Sequence, residues 1–199
     1  MSFLPDPSTD PHEAFGIWFA DAQAHEPSDP NAMILATVTA TGQPTARTVL
    51  LKGWDASGFV FYTNLQSEKG RNLDNTPRAA LLFYWKSLYR QVRLEGPVAQ
   101  VPDSEADSYF AGRPRGSQIG AWASDQSRPM PTGRQDLKDR ITEMERRFEG
   151  QEVPRPPHWS GFRLKAETIE FWQGQEYRLH DRLVFRWRDE GWTFEQLYP

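Results

Sequence analysis

The chain has 199 residues, of which 38% are hydrophobic and 13% are aromatic, and its formal net charge is −4 at pH 7. This composition predicts one folded domain over residues 1–199, excludes an intrinsically disordered chain and argues against a general nucleic-acid-binding protein. The sequence has no Cys, which excludes disulfides, thiolate metal sites and Cys nucleophiles. No apolar run reaches the length of a membrane span and no secretory leader is visible, so we expect a cytoplasmic protein without a membrane partner.

The first half of the chain is predicted to hold mostly strands. After a flexible segment at residues 1–10, apolar residues at helical spacing predict a helix over residues 11–25. Residues 32–64 read as three strands joined by turns at TGQ and DASG. A short polar helix follows, and then two more strands, over residues 78–85 and 89–101.

The second half of the chain passes from helices back to strands. Acidic residues open one predicted helix, which Gly112 ends, and an apolar stripe with a charged opposite face predicts another. The three predicted helices cover residues 103–112, 117–124 and 134–148. A Pro-rich connector follows at residues 152–159, and the last strands are predicted within residues 161–172, 182–189 and 192–199.

The order of these elements predicts the fold class. Strands that follow one another through short turns indicate an antiparallel sheet rather than β-α-β units. We therefore predict an α+β fold in which a closed or nearly closed antiparallel β-barrel carries peripheral helices.

The stretch EYRLHDR places basic side chains beside a hydrophobic run. On a β-strand, Arg178, His180 and Arg182 would share one face. Residues 183–185 and Trp187, which follow them, look like core. One interpretation is a functional face, and the alternative is an edge strand whose charged residues point outward.

Common catalytic motifs are missing from the sequence. There is no G-x-G-x-x-G, no Walker loop and no G-x-S-x-G, and the His residues lack metal-ligand spacing, so hydrolase and metalloenzyme functions have little support. Tyr109, Arg113 and Ser117 recur every four residues and offer the donors that a phosphate monoester needs. The alternative is a solvated helix face, although Pro114 argues against one continuous helix.

The sequence resembles the pyridoxamine 5′-phosphate oxidase family, also called pyridoxine 5′-phosphate oxidase, in motifs that follow the family's order: RTVLLK, FYTN, RQVRLEG, YFAGRPRGSQIGAW, SDQS, IEFWQG and EYRLHDR. The resemblance covers nearly the whole chain. It implies a homodimeric, FMN-binding split β-barrel with both FMN molecules at the dimer interface. It also implies oxidation of pyridoxamine or pyridoxine 5′-phosphate to pyridoxal 5′-phosphate, with O2 as acceptor and H2O2 as by-product.

The resemblance assigns roles to the scattered polar residues, motif by motif. Arg178 and His180 would lie over the pyridine ring of the substrate as the catalytic residues. The substrate phosphate would be bound by Lys52, Tyr109, Arg113 and Ser117. FMN would be bound, partly across the two subunits, by Arg47, Thr48, Val49, Leu50, Leu51, Tyr62, Thr63, Lys69, Gln91, Gln126, Ser127, Trp172 and Arg182.

Some features of the sequence depart from the family or complicate the assignment. Relatives commonly carry Arg just before Lys69, where this chain has Glu68. Some relatives have a longer N-terminus with Arg and Tyr that closes over the substrate, and residues 1–9 contain neither. Arg47 and Lys52 are an odd number of residues apart and would point to opposite faces of a regular strand. Using both in one pocket requires a bulge, the end of the strand or two different phosphates, and the family assignment fits the last of these.

Two other functions remain open from the sequence. One is an FMN oxidase of the same fold that acts on another ring, as in phenazine biosynthesis, and the residues for a substrate phosphate argue against it. The other is a split-barrel protein that binds flavin without turnover.

Overall fold

The computed structural model describes residues 4–199 as one curled antiparallel sheet with helices packed around it. The helices are α1 (Pro11–His25), α2 (Glu68–Asn75), α3 (Asp103–Ala111), α4 (Arg115–Ala123) and α5 (Arg134–Arg147). The strands are β1 (Ala32–Val38), β2 (Pro44–Leu50), β3 (Gly53–Asp55), β4 (Gly58–Asn64), β5 (Arg78–Trp85), β6 (Arg90–Gln100), β7 (Trp159–Leu164), β8 (Thr168–Gln173), β9 (Asp181–Arg188) and β10 (Gly191–Leu197). The predicted α+β antiparallel split barrel with peripheral helices is confirmed.

The long strand β6 joins the two parts of the sheet. Its first half pairs with β8, its last residues pair with β7, and β5 runs along its other edge. From β6 the sheet continues through β5 and β1 to β2 on one side, and through β8 and β9 to β10 on the other. Strand β7 adds β4 and β3, so that the sheet bends back on itself into a half-barrel.

The interior of the half-barrel is rich in aromatic side chains, and α1 packs against them. Asp10 caps α1 by accepting backbone N–H groups of its first turn. Phe15 packs edge-on against Phe59, with ring centroids 4.9 Å apart, and Trp18 packs edge-on against Phe171 at 5.1 Å. Burial of such rings is a main source of folding free energy. No helix within residues 4–199 has both the length and the apolar character needed to cross a membrane.

Alternation along the strands leaves one face of the sheet outside the barrel. The strand register places Tyr84, Gln91, Trp172 and Arg182 opposite one another on β5, β6, β8 and β9. Directly opposite residues of an antiparallel pair lie on the same face. These four residues therefore form a row across the outer face, which we call the outer row.

The structure differs from the predicted strands in three places. Residues 32–64 hold four strands rather than three, because the short strand β3 forms a hairpin with β4. Residues 161–172 contain parts of two strands, β7 and β8, with a break around Ala166. Trp187, predicted to be core, lies near the end of β9 and is 42% exposed.

The prediction that EYRLHDR is a strand is wrong for most of its length. Glu176–Arg178 forms a 3₁₀ turn, and β9 begins only after His180. Tyr177 and Arg178 have φ angles of 56° and 63°, which a strand does not allow. Of the three basic residues only Arg182 belongs to the strand, so they do not share one strand face.

The predicted flexible segment at residues 1–10 falls partly on residues 1–3, which lie outside the described residues. Leu4 packs against the main core, and Asp10 is the N-cap of α1. The flexibility of this segment stays a prediction.

Candidate active site

A cleft of about 820 Å³ opens between the end of β2, strand β4, and helices α3 and α4. It gathers residues predicted to bind the substrate phosphate and residues predicted to bind FMN. Those that line it are Thr48, Val49, Leu50, Lys52, Tyr62, Thr63, Lys69, Tyr109, Arg113, Ser117 and Gln126. The fold thus brings together side chains that lie far apart in the sequence.

Lys69 is one buried cation of the cleft. Ser67 caps α2 and places Lys69 in its first turn. The ammonium donates to Gln126 Oε1 at 3.2 Å and pairs with no carboxylate among the residues that the structure describes. Burial and then the neighbouring Arg47 guanidinium lower the pKa of Lys69, while Glu68 acts in the opposite direction. A buried ammonium without a paired carboxylate is suited to bind an anion.

Arg113 is a second cation of the cleft, and it is half-buried. Pro114 is the N-cap of α4, so Arg113 lies in the short linker between α3 and α4. The guanidinium lies over the Trp159 ring, 4.8 Å from its centroid. Burial lowers the pKa of Arg113, and its Nη1 is the only buried side-chain nitrogen or oxygen without a hydrogen-bond partner within residues 4–199. Because an unsatisfied buried donor costs free energy, Arg113 is suited to an oxygen-rich ligand.

Tyr109, Arg113 and Ser117 line the cleft from different elements. Tyr109 lies on α3, Ser117 lies in the first turn of α4, and Pro114 separates the two helices. All three donors face the same cavity. The alternative of one continuous, solvated helix face therefore does not hold.

An aromatic stack forms one wall of the cleft. The Tyr62 ring lies parallel to Tyr109, with centroids 4.0 Å apart, and to Trp159, at 5.2 Å. Gly161 leaves room for this stack, since a Cβ there would lie 2.7 Å from the Tyr62 ring. Burial, and then the charge of Glu105, raise the pKa of Tyr62 to about 12. The phenol therefore stays protonated at neutral pH and can donate a hydrogen bond.

Arg47 lies beside the cleft and does not line it. It donates to the hydroxyls of Thr37 and Thr45, at 2.6 and 2.7 Å, and to Glu68 Oε1 at 3.1 Å. Glu68 is therefore paired with a residue predicted to bind the FMN phosphate. Lys52 lies beyond the end of β2 and lines the cleft, which explains how the odd spacing of the two cations is accommodated.

Two further residues predicted to bind FMN, Leu51 and Ser127, do not line the cleft and do not belong to the outer row. The Leu51 side chain is buried in the main core. Ser127 has a φ of 70° and lines a separate depression beside Pro129 and Met130. Its neighbour Gln126 does line the cleft, so adjacent residues of the SDQS turn line two different cavities.

Arg178 and His180 line a second depression, of about 570 Å³, which we call the outer depression. The backbone N–H of Gln175 donates to His180 Nδ1 at 3.1 Å, so Nδ1 is the acceptor and Nε2 carries the ring proton. The His180 ring lies 4.5 Å from the ring of Trp172, so the outer depression adjoins the outer row. Tyr89 also lines the depression, and it is not among the predicted site residues.

Arg182, in the outer row, is held by a buried carboxylate. Glu170 is 3% exposed and accepts a hydrogen bond from Arg182 Nε at 2.7 Å. Glu170 also accepts one from Arg93. Burial alone raises the pKa of Glu170, but the two guanidiniums outweigh burial and hold that pKa below its ordinary value. The Arg182 side chain is therefore fixed on the outer face before any ligand binds.

The cleft and the outer row belong to different parts of the sheet. From β2 to β8 the sheet passes through β1, β5 and β6, which makes four strand spacings, or about 19 Å measured along the curved sheet. In one chain the predicted site residues therefore form two groups, one that lines the cleft and one on the outer face of the sheet.

Two family models match the chain. The pyridoxamine 5′-phosphate oxidase model matches residues 19–173, and that of the pyridoxine 5′-phosphate oxidase C-terminal dimerisation region matches residues 159–199. A relative from Caulobacter vibrioides, named pyridoxine/pyridoxamine 5′-phosphate oxidase, is 57% identical over 190 residues, which are 96% of this chain and 85% of the relative. A relative of the same name from Rhodospirillum rubrum is 55% identical over 204 residues and covers 100% of both chains.

Solved structures show the same architecture. PhzG from Burkholderia lata 383, in complex with tetrahydrophenazine-1-carboxylic acid, has a TM-score of 0.90 and 32% identity over 98% of this chain and 95% of that one. An FMN-binding protein from Nostoc punctiforme, described as related to pyridoxamine 5′-phosphate oxidase, has a TM-score of 0.78 at 15% identity over 96% of this chain and 100% of that one, and it shows the shared fold. Because a family model covers most of the sequence and relatives are more than half identical, this chain belongs to the pyridoxine/pyridoxamine 5′-phosphate oxidase family.

Proposed function

We propose that the protein is an FMN-dependent oxidase that converts pyridoxamine 5′-phosphate or pyridoxine 5′-phosphate to pyridoxal 5′-phosphate, with O2 as acceptor and H2O2 as by-product. Relatives at 55–57% identity are named pyridoxine/pyridoxamine 5′-phosphate oxidase. The observation that carries the proposal is the presence in one cleft of two cations, the buried Lys69 and the half-buried Arg113, neither paired with a carboxylate among the described residues.

The two cations suit two phosphate groups. Lys69 and the adjacent Thr63 hydroxyl would hold the phosphate of FMN. Arg113, with the hydroxyls of Tyr109 and Ser117, would hold the phosphate of the substrate. A phosphate dianion accepts several hydrogen bonds and binds best to a fixed cation, so the residues present fit both groups. When bound, FMN supplies the two-electron chemistry of the reaction and its reoxidation by O2.

The outer depression supplies the groups that orient the substrate ring. His180 keeps a proton on Nε2 because Nδ1 is engaged by Gln175, so it can donate to a polar substituent of the pyridine. Arg178 adds a charged donor that, with His180, would orient the ring and stabilise charge developing on it. The phosphate contacts hold the substrate at a point remote from the reacting carbon, which favours the productive orientation.

We infer that a second copy of the chain completes each site. The cleft and the outer row lie on different parts of the sheet in one chain, and a two-fold axis would set the outer row of one subunit against the cleft of the other. The outer depression falls within residues 159–199, which match a dimerisation region, except for Tyr89. Ile34, Leu50 and Tyr84 are exposed on strands of the same sheet and offer apolar surface for such a contact.

Flavin absorbance tests the proposal directly. We expect the purified protein to bind FMN, to lose the flavin absorbance when pyridoxamine 5′-phosphate is added without O2, and to recover it in air with release of H2O2. Pyridoxamine without its phosphate should react at least roughly 10²-fold more slowly in kcat/KM, because Arg113 would lose its ligand. Binding of FMN without bleaching would instead support a protein that holds flavin without turnover, and bleaching only by an unphosphorylated tricyclic compound would support a phenazine-type oxidase.

A further inference from the structure

Tyr89 has a backbone conformation that its side chain does not favour. It precedes β6 with φ 55° and ψ 38°, in the left-handed region where an L side chain crowds the backbone. Within residues 4–199, seven residues other than glycine have positive φ, and three of them, Tyr89, Tyr177 and Arg178, line the outer depression. Such strained residues gather at ligand sites where the surrounding structure holds them.

Contacts with β8 and with Gly174, which follows it, fix the position of Tyr89. Its carbonyl accepts the N–H of Gly174 at 2.8 Å and Nε2 of Gln173 at 3.3 Å. Gly174 has no side chain, and a Cβ there would lie 2.0 Å from Cδ1 of the Tyr89 ring. The ring also lies 6.5 Å from the Trp172 ring, at an interplanar angle of 32°. The end of β8 is therefore shaped to hold this ring in one place.

Burial does not explain why the ring is held there. Tyr89 is 56% exposed, although it is fixed and its backbone is strained. It lies in the same depression as Arg178 and His180. Building on the proposed function, we propose that Tyr89 is a further substrate-contacting residue, whose ring forms a wall for the pyridine ring and comes from the same chain as Arg178 and His180.

Two substitutions separate the ring from the backbone strain. Asn tolerates the left-handed region, so Tyr89→Asn should keep or raise Tm while it removes the ring, and Tyr89→Phe keeps the ring. Equilibrium dialysis of pyridoxal 5′-phosphate against the FMN-loaded protein gives the dissociation constant, and sedimentation gives the oligomeric state. We expect Tyr89→Asn to bind at least ~10-fold more weakly and Tyr89→Phe to stay within about twofold of the wild type.

Several results would overturn this role. Unchanged binding of pyridoxal 5′-phosphate by Tyr89→Asn would overturn it. A loss of binding together with a lower Tm or dissociation of the protein would also overturn it, because the residue would then be structural. An equal loss in Tyr89→Phe would exclude the ring as the contact. A wild type that does not bind pyridoxal 5′-phosphate would overturn both proposals, whereas normal wild-type binding together with normal Tyr89→Asn binding overturns only this one.

Discussion

Among single residues, Glu68 has the clearest expected effect on cofactor binding. It pairs with Arg47 at 3.1 Å, so it would compete for the Arg47 guanidinium with an FMN phosphate bound near Lys69. The Glu68 side chain is 50% exposed. We expect Glu68→Arg to tighten FMN binding by about 1 kcal/mol, roughly fivefold in Kd, and the gain to shrink as salt screens the charges. Fluorescence titration of the apoprotein with FMN at low and high salt measures both effects.

Glu167 offers a matched control for this substitution. It is a carboxylate of similar exposure, 46%, and it pairs with Arg78 and does not line the cleft. Glu167→Arg should leave the FMN dissociation constant unchanged at every salt concentration. If Glu68→Arg at low salt bound FMN no better than the wild type, Glu68 would have no influence on the phosphate.

Tyr62 should make the stability of the protein depend on alkaline pH. Its pKa is raised from 10.0 to about 12, first by burial and then by Glu105. Because the folded state favours the neutral phenol, the stabilising contribution is complete below pH 10 and is lost as pH rises through about 12. The difference in unfolding free energy between the wild type and Tyr62→Phe, measured in urea, should therefore fall over this pH range. A difference that stays constant would contradict the raised pKa.

At the scale of elements, the close approach of β7 to β4 shapes the aromatic wall of the cleft. Gly161 is paired with Tyr62, and a Cβ there would lie 2.7 Å from the Tyr62 ring and 2.9 Å from Val101. We expect Gly161→Ala to lower the unfolding free energy by about 1–3 kcal/mol, as other overpacking changes do. It should also weaken the binding of pyridoxal 5′-phosphate, because the displaced ring disturbs Tyr109.

Gly116, on α4, provides the control. A Cβ at that position would meet nothing within 4 Å, and Ala favours a helix over Gly by up to about 1 kcal/mol. Gly116→Ala should therefore be neutral or stabilising in urea unfolding and should leave ligand binding intact. Unchanged unfolding and binding in Gly161→Ala would show that the strands move apart without disturbing the wall.

Elements with a local signal could be predicted from the sequence. The helices over residues 11–25 and 134–148 could be predicted from apolar periodicity, because a helix is formed by contacts between residues that are close in the sequence. The strand β3 is too short, at three residues, to show an alternation. The turn at Glu176–Arg178 could not be predicted, because a tyrosine gives no indication of the positive φ that Tyr177 adopts. The alternation of basic residues there is also the pattern expected of a strand.

At the scale of the whole molecule, shared sites should allow two inactive chains to restore each other. Arg113→Met damages the cleft and Arg178→Met damages the outer depression, so each variant alone should be nearly inactive. Equal amounts that refold together should recover about a quarter of wild-type activity, because half of the dimers are mixed and each has one intact site. Activity assays before and after refolding measure this recovery.

A second pair of variants controls the experiment. Lys69→Met and Arg113→Met both damage the cleft, so every site in a mixture keeps one defect and no recovery is expected. If the first pair also failed to recover while its chains formed mixed dimers, each site would be built from a single chain.

The site as a whole could be predicted only through the family resemblance. The positions of Lys52 and Ser117 in the sequence do not predict that both line one cleft. Their proximity depends on how the half-barrel folds. The alignment of Gln91, Trp172 and Arg182 depends on the register of β6 with β8 and β9, which come much later in the chain. Tyr89 could not be predicted as a site residue, because only its backbone angle and its exposure distinguish it from other tyrosines.

The central position of β6 also determines when the protein can finish folding during its synthesis. Strand β6 is complete at Gln100, but its partners β7 and β8 begin only at Trp159 and Thr168. A growing chain therefore exposes a long unpaired strand edge until the segment that begins at Trp159 has left the ribosome, and such edges favour aggregation. Contacts between distant segments also form slowly. The outer row and the outer depression, which depend on these late strands, should be the last parts of the molecule to form.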